Sequence, residues 1–478
     1  MRESRVSDVA GLELGRLIGE NSLVFSSLEF LFRFLPVFLI AFYLTPPKHR
    51  NITLFIGSIL LYACAQPQFV LLLLAVTALN YLVGLRMAEA SRIRHRRRRQ
   101  LAMGRWMLLA GATDIGILAF FKIGQAAAGN LLLPLGLSFY IFKLVSYQAD
   151  VFRGRIEAEP SFWKLGSYIC MFPQITSGPI MRYEDAQEGL AGERIRPEQF
   201  EEGLRHLVLG LASKVLIADR LGILWNDIQT IGFESISTPL AWLGAFAYSL
   251  QLYFDFEGYS LMAAGIGIML GFPYIQNFNQ PYSAVSVSDF WRRWHITLGS
   301  WFRDYVYIPM GGNRKGTRRL ILNLAFVWLL TGIWHGNGLN FILWGLVLGG
   351  LIILEKLTYG KWLQKTKVLS HVYVIAVIPL TWMIFAITDL GELGVYFARL
   401  FPFFGVGQTL NQGDIGKYLS MYWPYLLAGV LCCIPALSRF YEKWKKKWFV
   451  TVLLALLFWM AVYRLSISAG NPFLYFSF

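Results

Sequence analysis

Cysteine and charge are both scarce in this chain of 478 residues. The four cysteines, Cys64, Cys170, Cys432 and Cys433, form no C-x-x-C pair, so neither a zinc site nor a dithiol redox centre has support. Charged residues make up 15% of the chain, well below the roughly 25% of ordinary soluble domains. Residues 1–22 lack the cationic start and apolar core of a signal peptide. No internal repeat is visible, which leaves an inverted-repeat transporter with little support. The G-x-S-x-G nucleophile elbow is missing too.

What is present is apolar. Hydrophobic residues reach 56% and mean hydropathy is +0.48, more than one soluble core can hide. The 37 Phe, 23 Tyr and 16 Trp suit rings placed both in hydrocarbon and at headgroup level. The net charge of +15 is concentrated in short runs between apolar stretches. That is the positive-inside pattern of a polytopic membrane protein, and a nucleic-acid partner is not expected.

Twelve apolar segments recur from Leu28–Leu44 to Phe449–Leu465, several of them short for a straight span. Such short segments are expected to be partial or re-entrant passes. Four basic runs, at 86–105, 314–319, 356–367 and 439–447, hold 21 of the 44 cationic residues and should face the cytoplasm. Topological parity works from Arg319 onward. Upstream it works only if one apolar stretch fails to cross, and Leu261–Ile275, interrupted by Gly265, Gly267 and Gly271, is the candidate.

Residues 276–345 crowd polar groups into this background. The run Ser288-Asp289-Phe290-Trp291-Arg292-Arg293-Trp294-His295 predicts a helix capped by Ser288 or Asp289. Trp291, Trp294, His295, Leu298, Trp301, Phe302 and Tyr305 would share one face of that helix, with Arg292, Arg293, Ser300, Arg303 and Asp304 on the other. A cationic face opposite a tryptophan face belongs at the bilayer surface. Further on, Thr331-Gly332-Ile333-Trp334-His335-Gly336 ends a hydrophobic helix on a histidine, and ionisable groups at membrane depth are rare and usually functional. Gly332 and Gly336 are expected to leave room beside the His335 ring for another molecule. The alternative is a core histidine bonded to a backbone carbonyl.

These blocks make the sequence similar to the membrane-bound O-acyltransferase family, in the bacterial branch that contains the membrane subunit of alginate O-acetylation. The resemblance covers the chain from Val24. It rests on Phe172-Pro173-Gln174 with Gly178-Pro179-Ile180, on Gln251-Leu252-Tyr253-Phe254-Asp255-Phe256 with Gly258-Tyr259-Ser260, and on Asn277-Phe278-Asn279 with Pro281-Tyr282. It continues through Asp289–His295, Arg303-Asp304-Tyr305, Tyr307-Ile308-Pro309, Gly311-Gly312-Asn313-Arg314, Trp334-His335-Gly336 and the ending Asn471-Pro472-Phe473-Leu474-Tyr475-Phe476. Two positions depart from the alginate-type pattern: Glu257 replaces a small residue, and Leu261 replaces an aspartate, as in the teichoic-acid D-alanylation proteins.

The resemblance implies an all-α polytopic membrane protein. It would be a ring of roughly 11–13 transmembrane or re-entrant helices around a thinned centre with a through-tunnel, plus interfacial amphipathic helices. Residues 23–478 would form one membrane domain with its core motifs at 250–345, and residues 1–22 a dispensable extension. It implies His335 as the catalytic residue and His295 as the second histidine of this branch. No cofactor would be held permanently. Cytoplasmic acetyl-CoA would donate the acetyl group, which would pass to an SGNH-type partner and a polysaccharide outside the bacterial inner membrane. Arg292, Arg293, Arg314 and Lys315 flank the expected cytoplasmic mouth, where they can meet coenzyme A phosphates or serve as ordinary positive-inside charges. None of the six histidines is followed five residues later by aspartate, so the soluble H-x4-D device is absent. D-alanyl transfer to teichoic acid is the alternative within the family, and a polysaccharide flippase the alternative from another class.

Overall fold

A computed structural model describes residues 25–128, 132–176, 178–192, 194–404 and 413–467. The proposed extension 1–22 and the ending Asn471–Phe476 lie outside the described residues. Among the described residues every regular element is helical. The protein is an all-α, multi-pass membrane protein: five helices are long and apolar enough to cross a bilayer, or six if one bent pair counts as a span.

The chain falls into two compact units. The first contains residues up to Val208 together with Tyr259–Ile275. Its spans Pro67–Ser91 and Arg96–Gln125 are predominantly exposed. Leu108, Ile115 and Phe120 point outward as lipid-facing side chains do. Polar groups turn inward. Asn80 donates to the carboxylate of Asp114 at 2.9 Å, and Gln148 donates to the Asn80 backbone and side-chain oxygens at 2.7 and 3.1 Å. Helix Leu137–Arg153, which carries Gln148, stops at Gly154, whose φ of +70° closes the last turn without a Cβ penalty.

The second unit holds residues 209–258 and 276–464. Lys214 is buried there between Asp219 at 2.6 Å and Asp255 at 2.7 Å. A buried ammonium needs such partners, because losing one leaves an uncompensated charge. The apolar stretch Tyr422–Leu437 falls on two helices, Asp414–Cys432 and Pro435–Trp444, bent by 73°. Pro435 explains the break: it lacks an N–H and suits a first helical position.

One expectation changes. Leu261–Ile275 is not a separate non-crossing pass, because helix Thr238–Met269 runs unbroken for 32 residues through Gly265 and Gly267. At 1.5 Å per residue that is about 48 Å. Gly265 is there for proximity: a Cβ on it would lie 2.5 Å from the Gly203 carbonyl oxygen, and a Cβ on Gly203 would lie 2.5 Å from that of Gly265. Gly265, read as a helix breaker, is a backbone crossing, and of the three glycines Gly271 with φ +91° lies past the helix end.

Candidate active site

Both histidine blocks lie in the second unit. The predicted continuous helix through His295 is broken. Helix Val287–Arg293 ends at an extended Trp294, His295 takes a left-handed φ of 44°, and helix Ile296–Phe302 follows. A histidine rarely adopts that conformation, and it persists only where surroundings fix it. Here the Asn277-Phe278-Asn279 segment does so: Asn279 N–H donates to Arg293 O, and Ile296 N–H to Asn277 O, both at 2.9 Å. The cap differs as well. Ser286, not Ser288 or Asp289, accepts the Asp289 N–H at 3.0 Å, while Asp289 accepts the Val285 N–H at 3.2 Å.

The division of faces holds in part: Asp304, expected on the polar face, is buried and accepts from Arg303 Nε at 2.7 Å. Trp294, Leu298, Trp301 and Phe302 are buried, whereas Arg292 and Arg303 are exposed. Arg292 lies 3.4 Å from one oxygen of Asp289. Arg293 is committed inward: its Nε donates to Asp289 at 3.0 Å and its Nη1 to Ser283 Oγ at 3.4 Å. Arg314 and Lys315 are exposed in the turn before helix Thr317–His335.

His295 is buried against Phe256, with ring centroids 4.7 Å apart. Asn277 Oδ1 faces three donors: His295 Nδ1 at 3.0 Å, the Thr297 hydroxyl at 2.9 Å and the Thr297 N–H at 3.3 Å. The Thr297 N–H can only donate, so the Asn277 atom there is its oxygen and His295 Nδ1 carries the proton. Nε2 then holds a lone pair, and among the described residues it is buried without a hydrogen-bond partner. Burial pushes the imidazole pKa down to about 3, so the ring is neutral.

His335 ends helix Thr317–His335, buried on the same face as Thr331. Its ring meets Trp344 at 5.0 Å, Phe385 at 5.3 Å and Trp334 at 4.6 Å. Trp334 also lies 6.5 Å from His295, so one indole stands beside both histidines. Trp382 extends this aromatic wall, 5.9 Å from Trp344 and 4.9 Å from Trp294. Sequence reasoning missed Trp382 and Phe385; their signal was one-turn spacing on a single apolar helix.

The space expected beside His335 is filled. A Cβ on Gly332 would lie 2.5 Å from the Phe341 carbonyl oxygen, and one on Gly336 would collide with the Phe341 ring. Gly345, across the turn, would similarly meet the Trp328 carbonyl oxygen at 2.5 Å. These glycines seat helix Leu339–Leu357 against the histidine-bearing helix rather than open a cavity. That second helix also carries Glu355, whose carboxylate accepts the Val287 N–H at 2.6 Å and the Ser288 N–H at 2.8 Å. It therefore caps the helix leading to His295. A single acid at the end of an apolar helix was the only sequence signal.

Comparison with known proteins gives the family. The membrane-bound O-acyltransferase family profile matches residues 152–397. A probable alginate O-acetylase of Pseudomonas putida is 33% identical, covering 95% of this chain and 100% of the relative. A peptidoglycan O-acetyltransferase of Helicobacter pylori is 28% identical over 95% of this chain and 98% of its own length. A teichoic acid D-alanyltransferase of Bacillus subtilis is 30% identical but covers 50% of this chain and 62% of the relative. Two buried histidines, one at a break between helices and one at a helix end, thus sit in a chain that belongs to the membrane-bound O-acyltransferase family.

Proposed function

We propose that this acyltransferase moves an acetyl group from cytoplasmic acetyl-CoA across the inner membrane for O-acetylation of an extracytoplasmic polysaccharide. The observation that carries this reading is the meeting of His295 and His335 at Trp334. Near-full-length likeness to O-acetylating relatives supports acetyl over D-alanyl as the group moved. An SGNH-type protein outside the membrane is the proposed receiver of the acetyl group.

Acyl transfer from a thioester needs a base for the incoming hydroxyl. His335 accepts that proton as the hydroxyl oxygen bonds to the carbonyl carbon. The carbon–sulfur bond breaks, and the proton passes to the departing thiolate. The roles expected for His295 were orienting the substrate or polarising its carbonyl. A neutral ring with its proton on Nδ1 favours orientation, because Nε2 can accept from a hydroxyl or thiol but has no hydrogen to give a carbonyl.

The test is acetyl-CoA consumption in proteoliposomes, with base-labile acetyl on polymer measured in cells at matched protein level. General acid–base catalysis contributes about 10²–10⁴-fold, so His335→Ala should fall to near background while still inserting. Turnover above roughly a tenth of wild type would contradict that role. Consumption of a D-alanyl carrier thioester in place of acetyl-CoA would move the assignment to the alternative.

A further inference from the structure

The first unit contains a cavity of about 190 Å³ that no part of the acyl-transfer reading uses. Arg50, Arg194 and Arg196 line it, with Gln199, Asn51 and, as the one acid among the described residues, Glu188. Three guanidiniums against one carboxylate leave the described lining strongly cationic, and guanidinium geometry matches phosphate oxygens in bidentate pairs.

The walls are built to stay. Helix Tyr183–Ala191 ends at Gly192 with φ +75°, where a Cβ would lie 2.7 Å from the Pro47 carbonyl oxygen. Asn51 donates to the Leu190 carbonyl at 2.9 Å, tying the far wall to the same helix end. The Arg50 guanidinium lies over the rings of Phe42 and Tyr43, at 5.4 and 5.9 Å. Arg196 and Gln199 come from the start of helix Pro197–Ala212, where Gln199 accepts the Arg196 N–H at 2.9 Å. The positive end of that 16-residue helix adds to the attraction for an anion.

The location narrows the ligand. Helix Arg50–Ala65 runs away from Arg50, and after a short turn Val70–Ser91 runs back. Arg50 therefore lies at the same end as the arginine run 92–99, which the positive-inside rule assigns to the cytoplasm. Helix Leu35–Leu44, which brings Phe42 to the cavity, exposes Val37, Ile40 and Leu44 as a lipid-facing surface would. We infer that this is a phosphate-binding site at the cytoplasmic membrane interface, open both to anionic lipid headgroups and to soluble phosphate compounds.

The full-length chain, purified in detergent and stripped of lipid, is titrated by native mass spectrometry with three probes: phosphatidylglycerol, inorganic pyrophosphate and diacylglycerol. Charge-assisted hydrogen bonds are strong enough that Arg194→Gln with Arg196→Gln should weaken phosphate-probe binding by about tenfold or more. Both residues are exposed, so the fold should survive; unchanged thermal unfolding checks this. Arg50→Gln should weaken binding independently, and the paired Arg→Lys changes at 194 and 196 should restore part of it. Loss of phosphatidylglycerol binding alone identifies a lipid headgroup site, and loss of pyrophosphate binding alone a soluble phosphate site. Loss of both identifies a general phosphate site. Binding of neither phosphate probe, equal binding of diacylglycerol, or undiminished binding by the glutamine variants overturns the inference.

Discussion

The carboxylate of Glu355 accepts the backbone N–H of Val287 at 2.6 Å, joining the end of one apolar helix to the start of the turn that leads to His295. A buried donor left unsatisfied costs about 1–3 kcal/mol. Glu355→Ala strands the Val287 and Ser288 donors and should lose about 2–4 kcal/mol of stability. Glu355→Gln keeps one acceptor and should lose about half as much. Thermal unfolding in detergent reads the difference, and wild-type midpoints for both variants would show that the cap contributes nothing.

The glycine seam gives a second expectation. Gly332→Ala places a methyl group 2.5 Å from a backbone oxygen that no rotamer change can move. Overpacking of this kind typically costs about 1–3 kcal/mol, and the separated helices should shift His335 against Trp344. Gly350→Ala, on the same second helix with nothing within 4 Å, is the control and should be silent. Equal turnover for the two variants would mean that the seam does not position the site.

His295 makes stability depend on pH in a defined direction. Its ring stays neutral down to a pKa of about 3, whereas the unfolded chain binds a proton below about 6.5. The contribution is therefore complete above pH 6.5 and is lost progressively as pH falls toward 3, by about 1.4 kcal/mol per pH unit. His295→Asn, which tolerates the left-handed backbone, should flatten the unfolding midpoint between pH 7 and 5. A slope unchanged by that substitution would assign the acid sensitivity to other groups.

Arg292 and Arg293 should separate. Arg292 is exposed and its pair with Asp289 is a surface one, worth about 0–1 kcal/mol. Arg292→Glu should thus leave folding intact and test whether this arginine meets the coenzyme A proposed as donor. Arg293→Glu sets a second carboxylate against Asp289 and should lower the unfolding midpoint as well. If coenzyme A affinity in detergent survives Arg292→Glu, that arginine only seats the protein on the membrane.

Much of the site was legible because its chemistry is local. The 3- and 4-residue spacing of Trp294, Leu298, Trp301 and Phe302 gave the buried face correctly. His335 at the end of an apolar helix was equally plain. The break at His295 was not, because its left-handed backbone is imposed by Asn277 and Asn279 across a loop and leaves no mark on neighbouring residues. Glycine misled twice. Gly265 looked like a break and Gly332 like an opening, because the sequence reports a missing side chain but not the backbone that takes its place.

The contact between helices Thr317–His335 and Leu339–Leu357 runs through peptide groups at Gly332 and Gly345. Side chains yield to load by changing rotamer, but a peptide plane pressed against another has no such freedom. The seam therefore behaves as a hard stop. Changes in the lateral pressure of the surrounding lipid would carry this hairpin as one piece rather than slide its halves past each other. His335 and Trp344 would keep their spacing in bilayers of different composition.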